Sequence, residues 1–278
     1  MSDLPKWLQR VIEETGNAYT KGQSDFSTTE LISPPLIRKL MKEHKDELEV
    51  LPEDQLASFF GTGCHNQIEN IFDLIDEDQK EYIVEERMYA EVGGYKIGGQ
   101  IDLYVIEDEE LWDHKFTSIY KLMSGDHFDY EAQLNINRWL LHQNGYNVRR
   151  LFISGFPLDW RKSDSRNRED YPNSRFKPLE FPLWKLGDTE EFIRERIALH
   201  TSESPPVCSE KERWKKNDTW AVMKFKQKRA VKVCNSMQEA EQYAGADNYI
   251  EFREGKNLRC EEYCPVNKWC AFYRGIHA

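Results

Sequence analysis

Apolar residues recur at roughly helical spacing through LIRKLMKEHKDELEVL (36–51), just after Ser33-Pro34-Pro35, and predict a helix there. A second helix is expected over GCHNQIENIFDLI (63–75), opened by Gly61-Thr62-Gly63. From residue 82 the period changes. YIVEERMYAEV, YKIGGQIDLYVI and ELWDHKF read as three successive strands, turned at Gly93-Gly94 and at 107–110. In the middle strand Ile101, Leu103 and Val105 alternate with Gln100, Asp102 and Tyr104. YEAQLNINRWLLHQNG (130–145) predicts an amphipathic helix stopped at Asn144-Gly145, and VRRLFISGF (148–156) a further strand. Helix, three strands, helix and strand in that order imply an α/β domain with a mixed sheet.

Residues 157–180 are polar and read as a long loop. The run from 181 to 200 begins as a strand and ends as a helix. Beyond Ser204-Pro205-Pro206, WAVMKFKQKRAVKV (220–233) reads as a strand pair and NSMQEAEQYA (235–244) as a helix. The organisation expected is a helical region over 1–60, an α/β core over 61–204, and a basic, cysteine-bearing segment over 205–278 packed on that core.

The 278 residues suffice for a sizeable buried core, and 39% hydrophobic with 31% charged residues excludes a disordered chain. No apolar run is long enough to span a bilayer, and the first residues lack the pattern of a secretory signal, so a cytoplasmic protein without a membrane partner is expected. The net charge of −11 argues at first against a nucleic-acid partner. Its distribution reverses that argument. Residues 69–91 hold nine acidic and two basic residues, whereas 211–232 hold nine basic and two acidic. Lys224, Lys226 and Lys228 alternate within the expected strand, with Trp214, Trp220 and Phe225 interleaved. Lysines that track phosphates and aromatics that stack on bases are the parts of a single-strand binding surface. Arg161, Lys162, Arg166, Arg168 and Arg175 form a second basic group.

Asp102 stands in an apolar strand, and Asp113 and Lys115 lie two apart in the next, so they share a face. A hairpin brings the two aspartates together, and paired carboxylates call for a cation between them. Hard oxygen ligands suit Mg²⁺ or Mn²⁺, and a neighbouring lysine can orient water or stabilise charge on a phosphate. Six cysteines occur, three of them as Cys260-x3-Cys264-x5-Cys270. Three thiols need a fourth for a tetrahedral metal or an iron–sulfur cluster. Cys208, Cys234 and Cys64 are the candidates, and Cys208 is the choice because it opens the same C-terminal segment. Both zinc and iron–sulfur suit the spacing. Pro265 after Cys264 favours iron–sulfur.

GGQIDLY, LWDHKFTS and YEAQLNINRWLL, with GTGCHNQIE upstream, resemble the PD-(D/E)XK nuclease superfamily, and within it the RecB-type exonuclease branch with its phage and CRISPR-associated members. The resemblance spans about residues 30–155 and resumes at the C-terminus. It implies a restriction-endonuclease-like α/β core, a central mixed sheet flanked by helices, with a C-terminal cysteine-cluster subdomain. It implies that His65, Asp102, Asp113 and the backbone carbonyl of His114 hold Mg²⁺ or Mn²⁺, that Lys115 positions or activates water, and that Gln133 places the strand or the lysine. Glu86 is a further candidate, and the side chains of His114 and His127 are assigned structural roles. Asn137 occupies the position of the family's tyrosine. Iron–sulfur members of the branch close the core with three C-terminal cysteines, which implies a structural [4Fe–4S] cluster on Cys208, Cys260, Cys264 and Cys270. The activity implied is metal-dependent hydrolysis of DNA, as an exonuclease acting on ends or single strands by metal-activated water. The resemblance extends to roles in DNA recombination or repair and leaves room for a helicase or recombination partner. The alternative is a non-catalytic nucleic-acid-binding module on the same fold, with a zinc or iron–sulfur site. A nucleotide-binding reading of the glycines at 93, 94, 98 and 99 fails, since no Gly-Lys-Ser/Thr follows them.

Overall fold

A computed structural model of the chain describes residues 4–18, 22–76 and 81–277. The acidic stretch 69–91 therefore lies partly outside the described residues. The chain forms two compact units, residues 1–33 with 49–202, and residues 34–48 with 203–278. The division differs from the expected one in two ways. The first sixty residues are split between the units, and 34–48 join the C-terminal segment.

The first unit begins with α1 (Lys6–Ala18), β1 (Phe26–Ser27) and α2 (Thr28–Ile32). A capping box starts α2: Ser27 Oγ accepts from the Glu30 amide while Glu30 Oε2 accepts from the Ser27 amide at 2.8 Å. The helix α3 (Pro35–Glu43) belongs to the other unit. It is shorter than the periodicity predicts, because the chain turns into a 3₁₀ segment at Lys45–Glu47. The following α4 (Leu56–Ile75) starts seven residues earlier than expected and carries Gly61-Thr62-Gly63 in its interior.

Three antiparallel strands follow where alternation placed them: β2 (Tyr82–Val92), β3 (Tyr95–Val105) and β4 (Glu110–Thr117). Next come α5 (Ile119–Met123), α6 (Phe128–Gln143), β5 (Arg150–Pro157), α7 (Lys162–Asn167), β6 (Lys177–Phe181) and α8 (Leu186–Thr201). The expected long loop thus holds a short helix and the first residues of an edge strand. The sheet is mixed: β4 pairs in parallel with β5, and β1 with β3, while the other pairings are antiparallel.

The pairing of β3 creates the unit's main irregularity. One edge is taken by β2 at every residue but Asp102. The other is shared, with β1 at Ile97 and Gly98 and β4 at Leu103–Val105. Among the described residues, none pairs with 99–102 on that edge, so the sheet forks there. The helix α6 packs over this region against the sheet, α2 and α8. It is buried on nearly every side rather than amphipathic, with Leu134, Ile136, Trp139, Leu140 and Leu141 at 2% exposure or less. Each such side chain contributes about 1.5–3 kcal/mol of burial, which anchors α6 over the fork.

The second unit contains a three-stranded antiparallel sheet in the order β8 (Ala230–Cys234), β7 (Thr219–Lys224), β9 (Asn248–Arg253), with α9 (Met237–Tyr243) on one face. Val222, Cys234 and Ala240 form its core. The chain ends with a π-helical turn at Arg259–Tyr263, a 3₁₀ turn at Asn267–Trp269 and α10 (Ala271–Ile276).

Candidate functional site

Asp102 and Asp113 are the first residues past the point where β3 and β4 stop pairing, Leu103 opposite Trp112. With no ladder partner across the gap, the amide of His114 donates to Asp102 Oδ2 at 2.8 Å. A side chain replaces a backbone acceptor, and both carboxyls stay in the fork. Asp113 is 1% exposed and Asp102 9%. Burial, followed by the charge of Asp113, drives the Asp102 carboxyl well above the ordinary carboxylate range. The charges of His65 and Lys115 oppose that rise without cancelling it.

Two basic side chains reach the pair. From α4, His65 Nδ1 lies 3.8 Å from Asp102 Oδ2 and hydrogen-bonds Glu85 Oε1 at 2.6 Å. Burial lowers the His65 pKa, but the Glu85 hydrogen bond and the charges of Asp102, Glu85 and Asp113 outweigh it, and the net shift is upward. From β4, Lys115 Nζ pairs with Asp113 Oδ2 at 2.6 Å. Burial works against its charge too, and Asp113 and Asp102 again outweigh it. Gln133 on α6 ties this half together, accepting from Lys115 Nζ at 3.1 Å and donating to Asp113 Oδ1 at 2.7 Å.

Ligand atoms of His65, Glu85 and Asp102 all lie within 4.8 Å of one another. An imidazole and two carboxylates are a donor set for a hard or borderline divalent cation. Cation entry would displace the proton His65 holds against Glu85. The donor set differs from the expected one. Glu85, absent from the sequence reading, joins it, whereas Asp113 is engaged with Lys115 and Gln133. Glu86 points to solvent. The backbone explains the exchange. In register Glu85 would oppose Asp102, but it has φ 48° and the ladder is interrupted there. The left-handed region costs a glutamate roughly 1–2 kcal/mol, and here it delivers a carboxylate that is 6% exposed to the fork.

The His114 ring lies 5.8 Å from that of His65. Both its ring nitrogens are buried without a hydrogen-bond partner among the described residues. Burial first, then His65, lowers its pKa to about 4, so it is a neutral packing group beside Phe156. His127 stacks on Tyr130 at 5.6 Å. Asn137 is also structural: it is 2% exposed, its Oδ1 accepts from Thr28 Oγ1 at 2.9 Å, and its Nδ2 donates to Gln100 O at 3.4 Å.

In the second unit Cys208, Cys260, Cys264 and Cys270 line one cavity. Cys64 lies on α4 in the other unit, and Cys234 is a core thiol at the end of β8, 1% exposed. Burial, then Glu212 and the other three cysteines, pushes the Cys208 thiol up to about 12. Four thiols converging at this cost to ionisation suit a bound cation or cluster. Among the described residues no three of these sulfurs come within 4.8 Å of one another. Four thiolates at ~2.3 Å around one zinc would sit about 3.8 Å apart. Arginines bind the two cysteine-bearing segments together. Arg213 Nη1 donates to the Cys208 carbonyl and its Nε to Asn257 Oδ1 at 3.0 Å, and Arg259 Nη1 donates to Glu212 O at 3.3 Å.

The basic residues are arranged differently from the alternation expected. The strand β7 ends at Lys224, and Lys226, in the left-handed region at φ 66°, lies with Lys228 in the hairpin turn. Residues 224–229 are all exposed, with Phe225 packed on Tyr249 at 5.3 Å. Trp214 lies outside this hairpin, packed on Tyr263 at 5.4 Å beneath the Arg259 guanidinium at 5.1 Å.

No family model matches the chain, and no curated protein matches it. Among solved structures, it is similar to the crystal structure of SSO0001, with a TM-score of 0.50 and 17% identity over 75% of this chain and 89% of that one. The likeness is one of fold. It accords with an α/β core built on a mixed six-stranded sheet with flanking helices. No described helix is long and apolar enough to cross a membrane.

Proposed function

We propose that the chain is a metal-dependent DNA nuclease with a restriction-endonuclease-like core of the PD-(D/E)XK type, closest in motif to the RecB-like exonucleases. The observation that carries this reading is the convergence, at one fork in the sheet, of Asp102, Asp113, Lys115, Gln133 and His65 from four separate elements. Their chemistry suits a divalent cation, Mg²⁺ or Mn²⁺, with His65, Glu85 and Asp102 as its nearest holders and Asp113 beside them. When bound, such a cation supplies Lewis-acid polarisation and lowers the pKa of coordinated water. The chain's own residues do the rest. Lys115, kept charged by Asp113, presents N–H donors to a phosphate or an attacking water. The Gln133 amide is fixed by its two hydrogen bonds and holds Lys115 and Asp113 in register.

Cys208, Cys260, Cys264 and Cys270 are proposed to hold a structural [4Fe–4S] cluster in the second unit, with zinc as the alternative. Pro265 directly after Cys264 is the feature that favours the cluster. The exposed hairpin with Lys224, Lys226 and Lys228 offers phosphate contacts and the Phe225–Tyr249 pair a stacking surface.

Lys115→Ala and Asp113→Ala should each abolish Mg²⁺- or Mn²⁺-dependent degradation of linear DNA while the protein still melts cooperatively. Cleavage by both variants at the parent's rate would refute the site. Parent protein that binds DNA without a divalent ion and does not cut it in Mg²⁺ or in Mn²⁺ would instead indicate a non-catalytic binding module.

A further inference from the structure

The cleft above the fork is lined by His65, Glu85 and Asp102, and one step along the sheet by Arg87 and Gln100. Arg87 faces Gln100 in the β2–β3 register, and Gln100 lies two residues from Asp102 on the same face, about 6.7 Å along the strand. That step resembles the separation of successive phosphates in an extended nucleic-acid strand. Arg87 is the only Lys or Arg among the described residues lining the cleft.

The guanidinium is held but not neutralised. Its Nη2 donates to Gln100 Oε1 at 2.7 Å, and Gln100 Nε2 donates onward to Glu85 Oε2 at 2.7 Å. No carboxylate pairs with Arg87 among the described residues. The amide of Gln100 is thereby oriented by Arg87 on one side and by a proposed cation holder on the other. A guanidinium has five donors in a rigid fork, and one partner leaves most of them for a ligand. A half-buried guanidinium with no carboxylate partner at the margin of a carboxylate-rich cleft carries a charge that an anion can meet.

We infer that Arg87 and Gln100 form a phosphate subsite, which holds a non-scissile phosphate of the substrate strand one position from the Asp102 carboxylate. The inference rests on the nuclease reading and extends it to how the strand is placed: the backbone would run along the cleft from Asp102 toward Gln100 and Arg87. Arg87 is here a binding residue, and its link through Gln100 to Glu85 couples strand binding to the orientation of the cation-holding group.

The test uses the full chain and a fluorescently labelled single-stranded oligonucleotide in Ca²⁺, with anisotropy read from low to moderate salt. Arg87→Gln removes the charge and keeps an amide able to reach Gln100, while Arg87→Lys keeps the charge. Arg87→Gln should raise Kd about tenfold, the worth of a hydrogen bond to a charged group. It should also lower the slope of log K against log salt by about 0.7, one phosphate contact on a single strand. Arg87→Lys should retain the parent slope. A neutral methylphosphonate at the contacted position should weaken the parent and leave Arg87→Gln unaffected. Equal slopes and Kd values within twofold for parent and Arg87→Gln, with unchanged melting, would overturn the subsite while leaving the nuclease reading intact if the parent cuts DNA. A parent that neither binds nor cuts DNA would overturn both.

Discussion

Gly99 lies on the unpaired edge of β3, where the chain must pass beneath α2 and α6. A Cβ there would lie 2.4 Å from Asn137 Oδ1, 2.7 Å from Leu140 Cδ1 and 2.7 Å from Thr28 Oγ1. None of the three can withdraw cheaply: Asn137 is 2% exposed, Leu140 0% and Thr28 3%, and the two polar groups bond each other. Overpacking of this kind costs about 1–3 kcal/mol, and a disrupted buried hydrogen bond a further 1–3. The restricted unfolded chain returns only about 0.4–1 kcal/mol. Gly99→Ala should therefore destabilise the first unit by about 3 kcal/mol, a drop in Tm of about 6–12 °C for a unit of this size. Differential scanning calorimetry reads it directly. Gly63→Ala is the control, since nothing lies within 4 Å of its Cβ in the exposed middle of α4 and the helix should gain up to about 1 kcal/mol. Adding Asn137→Ala to Gly99→Ala removes the closest clash, so the two changes should together cost less than their sum. A Gly99→Ala protein that melts with the parent would show that α2, α6 and β3 are not packed as described, and the geometry of the fork would fall with them.

Two further outcomes follow from the same structure. Glu85→Gln should weaken Mn²⁺ binding by about tenfold or more in titration calorimetry, whereas Glu86→Gln, on the solvent side, should change it less than twofold; the reverse order would contradict the donor set. Cys208→Ser should remove the absorption shoulder near ~400 nm from anaerobically purified protein, whereas Cys234→Ser should keep it. A colourless parent with one bound zinc would replace the cluster with a zinc site.

Sequence periodicity located most of the strands because they are bounded by turn residues and alternate against a covered face. It overstated the helix from residue 36, because charged residues at helical spacing do not reveal that the chain turns into a 3₁₀ segment after Glu43. It took α6 for an amphipathic helix, although Asn135 and Asn137 are buried polar groups with partners in other segments. Asp102, Asp113 and Lys115 were legible from the strand pleat and the hairpin, whereas His65 and Gln133 entered only through the resemblance of their motifs. Glu85 was not legible: its contribution depends on a left-handed backbone at one residue, and Glu85-Glu86 gives no sign of which carboxylate turns inward. Lys226 is the converse case, where a left-handed residue ends the alternation expected for the basic strand. The net charge of −11 conceals an uneven distribution: Glu85 and Asp102 belong to a candidate cation site, and the basic stretch 211–232 lies in the other unit.

The central claim is that the fork between β3 and β4 cuts DNA with a divalent cation. Its most direct test is incubation of the parent and of Asp102→Asn with end-labelled linear, nicked and circular DNA, in Mg²⁺, in Mn²⁺ and in chelator. The parent should degrade linear DNA only when a divalent ion is present, and Asp102→Asn, folded to the same extent, should not degrade it. Equal cleavage by the two proteins, or cleavage that persists in chelator, would contradict it.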